Sequence, residues 1–272
     1  MVSAAIAAFR AALGEATRVM VLSGAGVSAE SGVPTFRGAG GLWRRWSATD
    51  LATPEAWARD PGLVWEFYDY RRRRMADVQP NPAHRALAAF EERWTAAGHQ
   101  LALVTQNIDG LHELAGSRNV TRLHGSIWHV RCLRCGAVTP NRDVPITAAY
   151  EGAGSPEPDA PSRRFGPEDL PRCACSGVLR PHVVWFGEPL GAEDLEGAVR
   201  AAERCDVLLV VGTSAVVYPA AGLIPLARRS GAVVAEINLE PTPATRDVDH
   251  HFCGPAGAVV PELLDDLPKR TT

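Results

Sequence analysis

Two pairs of cysteines, a glycine-rich turn and a histidine at the end of an apolar run are the residues of this chain whose types and spacing suit chemistry. Cys132-x-x-Cys135 and Cys173-x-Cys175 are close pairs. In a reducing compartment such pairs hold zinc more often than they form disulfides. Four thiolates make a closed tetrahedral site with no position for water, which suits structure rather than catalysis. The second pair is tighter than C-x-x-C, so His129 stands as an alternative to Cys175. Cys205, at the entry to an apolar strand, reads as an inert buried thiol, and Cys253 receives no role.

Gly24, Gly26 and Ala29 fit a G-x-G-x-x-A turn directly after the apolar run 18–22. Glycine there permits a tight turn and lets backbone N–H groups approach a pyrophosphate at a helix start. A glycine-rich strand-to-helix turn with no ligand has the same appearance. Pro34-Thr-Phe36-Arg37-Gly38 sharpens the reading, because a plain dinucleotide loop does not require it. A dehydrogenase also needs an acid about 20 positions on, at the end of a second strand. Residues 39–60 hold no strand-like run. The turn therefore suits a dinucleotide outside the usual hydride-transfer frame.

Further polar residues follow other apolar runs. Gln106, Asn107 and Asp109 follow the run 101–105, where they either address a cofactor or cap the next helix. His124 follows 120–123. A histidine there is structural or, with a pKa near neutrality, a general base. Gly212-Thr213-Ser214 ends 206–211, and Asn238-Leu-Glu240 ends 233–237. Each taken alone is ordinary loop chemistry. Together they gather on one sheet edge, and ligands of open parallel sheets bind beyond the carboxyl ends of strands.

The elements that must carry these residues are strands at 18–22, 101–105, 120–123, 206–211 and 232–237, alternating with helices at 3–15, 82–97, 110–115, 193–204 and 219–230. This alternation predicts an α/β fold, a Rossmann-like parallel sheet with helices on both faces. Two stretches break it. Residues 39–80 are rich in aromatics, with a helix near 62–75, and residues 126–180 hold the four cysteines. The predicted organisation is a nucleotide-binding domain from 1–45, 95–125 and 181–272, with a smaller lobe made of a helical module (46–94) and a zinc-binding module (126–180). The 272 residues carry a net charge of −3 and 46% hydrophobic residues. That balance gives no global attraction to nucleic acid or to an anionic membrane. No apolar run is long enough to span a bilayer, and the N-terminus lacks a signal-peptide pattern, so a cytoplasmic protein is expected.

In order and spacing these motifs, with Pro181-His-Val-Val-Trp-Phe-Gly-Glu188, resemble the sirtuin family of NAD-dependent protein-lysine deacylases from about residue 18 to 260. Gly38-Ala-Gly-Gly-Leu-Trp43, Asp50-Leu-Ala-Thr-Pro54 and Val64-Trp-Glu-Phe-Tyr-Asp-Tyr-Arg71 extend the resemblance to its class of desuccinylases and demalonylases. The resemblance implies that an acyl-lysine and NAD become free lysine, nicotinamide and O-acyl-ADP-ribose. It implies NAD contacts from Gly24, Ala25, Gly26, Ser28, Pro34, Phe36, Arg37 and Trp43, from Gln106 through Asp109 including Ile108, from Gly212, Thr213 and Ser214, and from Asn238, Glu240 and Ala256. His124, as general base on a ribose hydroxyl, and Asn107 are the implied catalytic residues. Val184, Phe186, Gly187 and Glu188 would pair with the substrate chain as an added strand. Tyr68 and Arg71, three apart on one helix face, would bind a distal carboxylate beside a pocket widened by Ala52. At most one or two of the arginines 71–74 can face that pocket, leaving the rest for solvent. One structural zinc, held by Cys132, Cys135, Cys173 and Cys175, and acyl-lysine side chains of proteins or peptides complete the expected partners, with no nucleic acid, no membrane and a monomer favoured. An NAD-dependent ADP-ribosyltransferase on the same scaffold is the alternative.

Overall fold

The structure is a computed structural model that describes residues 2–34, 42–44, 46–157 and 163–267; Phe36 and Arg37 lie outside the described residues. In chain order, the first half runs α1 (Val2–Glu15), β1 (Arg18–Ser23), a 3-10 turn (Ala25–Ser31), β2 (Leu42–Trp43), β3 (Trp46–Ser47), α2 (Ala48–Leu51), α3 (Pro54–Arg59), α4 (Pro61–Ala76), α5 (Pro82–Ala96), β4 (Gln100–Thr105), α6 (Leu111–Ala115) and β5 (Val120–Arg122). The second half runs β6 (Gly125–Cys132), β7 (Val138–Pro140), β8 (Leu179–Val183), α7 (Ala192–Arg204), β9 (Val207–Val211), α8 (Leu223–Arg229), β10 (Val233–Asn238), β11 (His250–Cys253) and α9 (Ala256–Leu264).

Among the described residues the main sheet has the order β11-β10-β9-β1-β4-β5, with every neighbouring pair parallel. The central strands are apolar on both faces, as a doubly covered sheet demands. In β1, Val19 and Val21 enter one core with Phe9, Leu87, Phe90 and Val260, while Met20 and Leu22 enter another with Ala198, Ala202 and Ile224. Helices α1, α5 and α9 therefore cover one face, and α7 and α8 the other.

The chain leaves β1 toward β4 and β5 and returns on β1's other side through β9. The carboxyl ends of β1 and β9 thus form the switch point, where open sheets of this kind bind ligands. Among the described residues no further strand of the main sheet lies between β1 and β4 in the chain, so there is no second strand end there to carry the dehydrogenase acid.

A third core belongs to the smaller lobe. It joins α4, the three-stranded antiparallel sheet β7-β6-β8 and Trp43. Helices of this region begin with a capping residue followed by proline: Thr53 accepts from the Ala56 amide, Asp60 from the Leu63 amide and Asn81 from the Ala83 amide. The cap satisfies an orphan amide, and proline fits the first helical position because it has none to satisfy. Within residues 46–94, α4 buries Trp65 and Tyr68 in this lobe, whereas α5 buries Leu87, Phe90 and Trp94 against the main sheet. Strand β8 is likewise part of the small sheet, although its last residues fall beyond position 180.

Candidate active site

The turn after β1 and the end of β9 touch through their backbones. The Gly24 amide donates to the Val211 carbonyl at 3.0 Å and the Gly26 amide to the Gly212 carbonyl at 2.7 Å. A Cβ on Gly26 would sit 2.7 Å from Gly212 Cα, and one on Gly24 would sit 2.7 Å from Thr213 Cβ. Glycine at these positions lets the two strand ends close on each other, a use distinct from presenting both amides to a phosphate. Beside this contact lies an open cleft. Gly26 and Gly212 line it together with Ala29, Glu30, Asn238, Leu239 and Ala256. Its place at the switch point fits one half of a dinucleotide. Of the residues expected there, Glu240 is exposed and does not line it, and Trp43 is taken up by the small-lobe core, 2% exposed and bonded through Nε1 to the Gly154 carbonyl. Pro34 is exposed, and Ala25 opens the 3-10 turn. Glu30, Gly254 and Pro255 also line the cleft. They carry no sequence signal of their own, because chain folding alone brings them there.

Deeper in, a buried polar network fixes the strand ends. Asn107 Nδ2 donates to the Gly24 carbonyl and to Ser28 Oγ, both at 3.1 Å. Ser28 donates to the Asp109 carboxylate at 2.8 Å, and Trp128 Nε1 donates to the Asp109 carbonyl at 2.7 Å. His84 Nε2 lies 3.3 Å from Ser28 Oγ while its Nδ1 receives the Asn81 amide, so Nε2 is its donor nitrogen. Burial raises the Asp109 carboxyl above its ordinary range, and hydrogen bonds from the Leu111 amide and Ser28 oppose that. Ile108 is buried in the small-lobe core. Gln106 donates to Thr213 Oγ1 at 2.9 Å, and Asn238 donates to the Thr213 carbonyl at 2.8 Å. Ser214 follows, half-buried.

His124 stands between β5 and β6. Its Nδ1 is 2.8 Å from the Gln106 carbonyl. A carbonyl only accepts, so Nδ1 carries the hydrogen and Nε2 presents a lone pair. Burial pushes the imidazole below its ordinary pKa, and the bond to Gln106 only partly offsets this. The ring is therefore neutral at physiological pH and ready to accept a proton at Nε2.

The segment after β8 runs between this histidine and the small lobe. The Val184 amide donates to the His124 carbonyl at 3.0 Å, and the Phe186 amide donates to the Ala52 carbonyl at 2.9 Å. Phe186 is 48% exposed, and Gly187 has a φ of 86° in the left-handed region. Glu188 faces inward instead: Arg180 holds its carboxylate at 2.6 and 3.0 Å. Burial acts to raise the Glu188 carboxyl, but the bonds from Arg180 and the Trp185 amide outweigh it and hold it below the usual range. The side chain thus has a structural partner, while the expected substrate contact of this segment is through its backbone.

Ala52 and Tyr68 are buried, and the Arg71 guanidinium lies 5.6 Å from the Tyr68 ring centroid. Burial lowers the Arg71 pKa, opposed by Tyr68 and Asp109. The remaining arginines divide differently from expectation. Arg72 is fully buried and donates to the Ile127 and Asn141 carbonyls, and Arg73 pairs with Asp69 at 3.3 Å. Of the three, Arg74 alone is exposed. The reason is that the cysteine module folds over α4 and brings carbonyls that need donors.

The four cysteine sulfurs lie within 4.8 Å of one another, with Cys132–Cys175 at 3.5 Å and Cys135–Cys173 at 3.9 Å. A zinc tetrahedron with bonds of about 2.3 Å has edges of about 3.8 Å, so the four thiolates fit one zinc. Cys175 belongs to the group, and His129 does not. The cysteines clamp the far ends of β6 and β8, pairing Cys132 with Leu179; at the near ends Gly125, next to His124, pairs with Val183.

The Sir2 family pattern matches residues 24–219, and the chain belongs to that family. A Danio rerio protein named NAD-dependent protein deacylase sirtuin-5, mitochondrial, is 51% identical over 266 residues, covering 97% of this chain and 87% of its own length. A Daphnia pulex NAD-dependent protein deacylase is 53% identical over 260 residues, covering 94% of this chain and 95% of its own. A crystal structure of a Sir2 homolog–NAD complex matches with a TM-score of 0.81 at 42% identity, covering 95% of this chain and 92% of its own. Among the described residues no helix is long and apolar enough to cross a membrane.

Proposed function

We propose that this Sir2-family chain, an NAD-dependent protein deacylase, acts by preference on lysines whose acyl group ends in a carboxylate: succinyl, malonyl or glutaryl. The observation that carries the preference is the half-buried Arg71 guanidinium 5.6 Å from the ring of the fully buried Tyr68, on the helix beside Ala52. A cation held where burial disfavours its charge gains most from an incoming anion, and the guanidinium fork fits a carboxylate.

The chemistry that bound NAD supplies is an electrophilic ribose carbon, a departing nicotinamide and a ribose hydroxyl. Beside it, Gly24, Gly26 and Gly212 let the ends of β1 and β9 meet, and Asn107, Ser28 and Asp109 hold the neighbouring strand ends rigid. His124 Nε2 accepts a proton from the ribose hydroxyl, with Nδ1 anchored on Gln106 so that the ring cannot turn away. Val184, Phe186 and Gly187 pair with the substrate main chain, which leaves the sequence around the lysine largely unread. The proposed organisation is a nucleotide-binding domain carrying a smaller lobe that supplies the acyl pocket. The test is one peptide bearing acetyl, succinyl, malonyl or glutaryl lysine, assayed by mass spectrometry with and without NAD. A faster acetyl reaction than any acidic one would refute the preference.

A further inference from the structure

Trp185 lies in the middle of the peptide-side segment, yet its side chain is buried, 2% exposed. Its indole Nε1 meets the Tyr68 hydroxyl at 3.0 Å, and Tyr68 is fully buried. An indole N–H donates and cannot accept. The phenol oxygen is therefore the acceptor, and this bond leaves the phenol's own proton unused. A phenol hydroxyl keeps its hydrogen near the ring plane, on one side of the oxygen or the other. The indole occupies one side, so the hydrogen is held to the opposite one. Burial also raises the Tyr68 pKa, so that proton stays in place at neutral pH.

The indole is itself held firmly. The Arg180 guanidinium lies 3.3 Å from its ring centroid, and Trp57 packs at 5.6 Å. Arg180 grips Glu188, which in turn accepts the Trp185 amide at 2.9 Å. The chain Glu188–Arg180–Trp185–Tyr68 thus ties the peptide-side segment to the acyl pocket.

From this geometry we propose that Trp185 is a positioning residue for acyl selectivity: it fixes the Tyr68 hydroxyl as a hydrogen donor to the distal carboxylate of the acyl group. The inference rests on the acidic-acyl reading and names a further determinant of it. Arg71 supplies charge, and the oriented hydroxyl supplies direction. An acetyl group has no distal oxygen to receive that hydrogen, so the orientation favours only the acidic substrates.

The test compares wild type, Trp185→Phe, Tyr68→Phe and the double variant, each with the same peptide carrying succinyl- or acetyl-lysine. Phenylalanine keeps an aromatic ring for Arg180 and Trp57 while deleting the donor. The readout is the succinyl-to-acetyl ratio of kcat/KM, which does not depend on the folded fraction because one preparation serves both substrates. In Trp185→Phe the ratio should fall roughly three- to tenfold, the scale of one hydrogen bond, mainly through the succinyl KM. Added to Tyr68→Phe, the same change should cause no further fall. An unchanged ratio in Trp185→Phe, or an equal fall in the Tyr68→Phe background, would overturn the role of Trp185 while leaving the acidic preference intact. A wild type without that preference would overturn both readings.

Discussion

The Val184 amide donates to the His124 carbonyl at 3.0 Å, so the segment proposed to meet a substrate chain is fastened to the residue proposed as the base. A peptide paired along residues 184–187 is thereby set in register with the imidazole. Proximity of this kind lowers the entropy cost of bringing reacting groups together. The His124→Ala variant should lose roughly two to four orders of magnitude in kcat, the usual share of a general base. NAD affinity measured by calorimetry should persist. Deacylation at the wild-type rate would exclude His124 as the base.

The pH profile tests the same residue independently. A general base works in its neutral form, and burial depresses the His124 pKa. Activity should therefore hold as the pH drops through the ordinary histidine value of about 6.5, and fail only at lower pH. An acid limb in kcat/KM centred above that value would contradict the buried, carbonyl-anchored imidazole.

Replacing Arg71 by methionine keeps length and apolar bulk but removes the charge. A charged hydrogen bond contributes about 1.5–3 kcal/mol. Desuccinylation by Arg71→Met should thus fall by about one to two orders of magnitude, while deacetylation falls far less. Parallel loss of both, read from kcat/KM on matched peptides, would show that Arg71 supports the fold rather than the pocket.

The cysteine cluster predicts one zinc per chain by elemental analysis. The Cys175→Ser variant should contain less metal and melt at a lower temperature, because the clamp between β6 and β8 loosens. Full zinc occupancy in that variant would remove Cys175 from the ligand set.

Stability should also depend on pH through two buried histidines that need not touch substrate. His84 is pushed down to about 4 and His112 to about 3, both chiefly by burial. The unfolded chain binds protons on them near pH 6.5, whereas the folded chain does not until much lower pH. Their stabilising effect is full above about pH 6.5 and is lost progressively as the pH falls toward these folded values, about 2 kcal/mol for each by pH 5. Thermal midpoints measured from pH 8 to 5 should decline, with a shallower slope in His112→Gln. An unchanged slope would mean that other groups set the acid limit.

Local sequence signals located much of this architecture. Apolar runs and the helical patterns between them marked helices and central strands, since these depend on local periodicity and chain sterics. The strand-end polar residues pointed to one sheet edge for the same reason. By contrast, β11 and α9 escaped: His250-His-Phe-Cys is short and half polar, and α9 is apolar around much of its circumference with Pro261 inside it. Yet α9 brings Ala256 to the cleft.

What the sequence by itself determined was the chemistry on offer: four thiolates, a histidine, a glycine turn, and a tyrosine and arginine three apart. Only the tertiary structure decided which of them work together. It set the Glu188 side chain against Arg180, drew Arg72 and Arg73 toward backbone carbonyls and a carboxylate, and set the Trp185 indole against Tyr68. The physical reason is that spacing along a chain fixes which face a side chain occupies, while a buried donor must be matched by whichever acceptor long-range packing brings within about 3 Å.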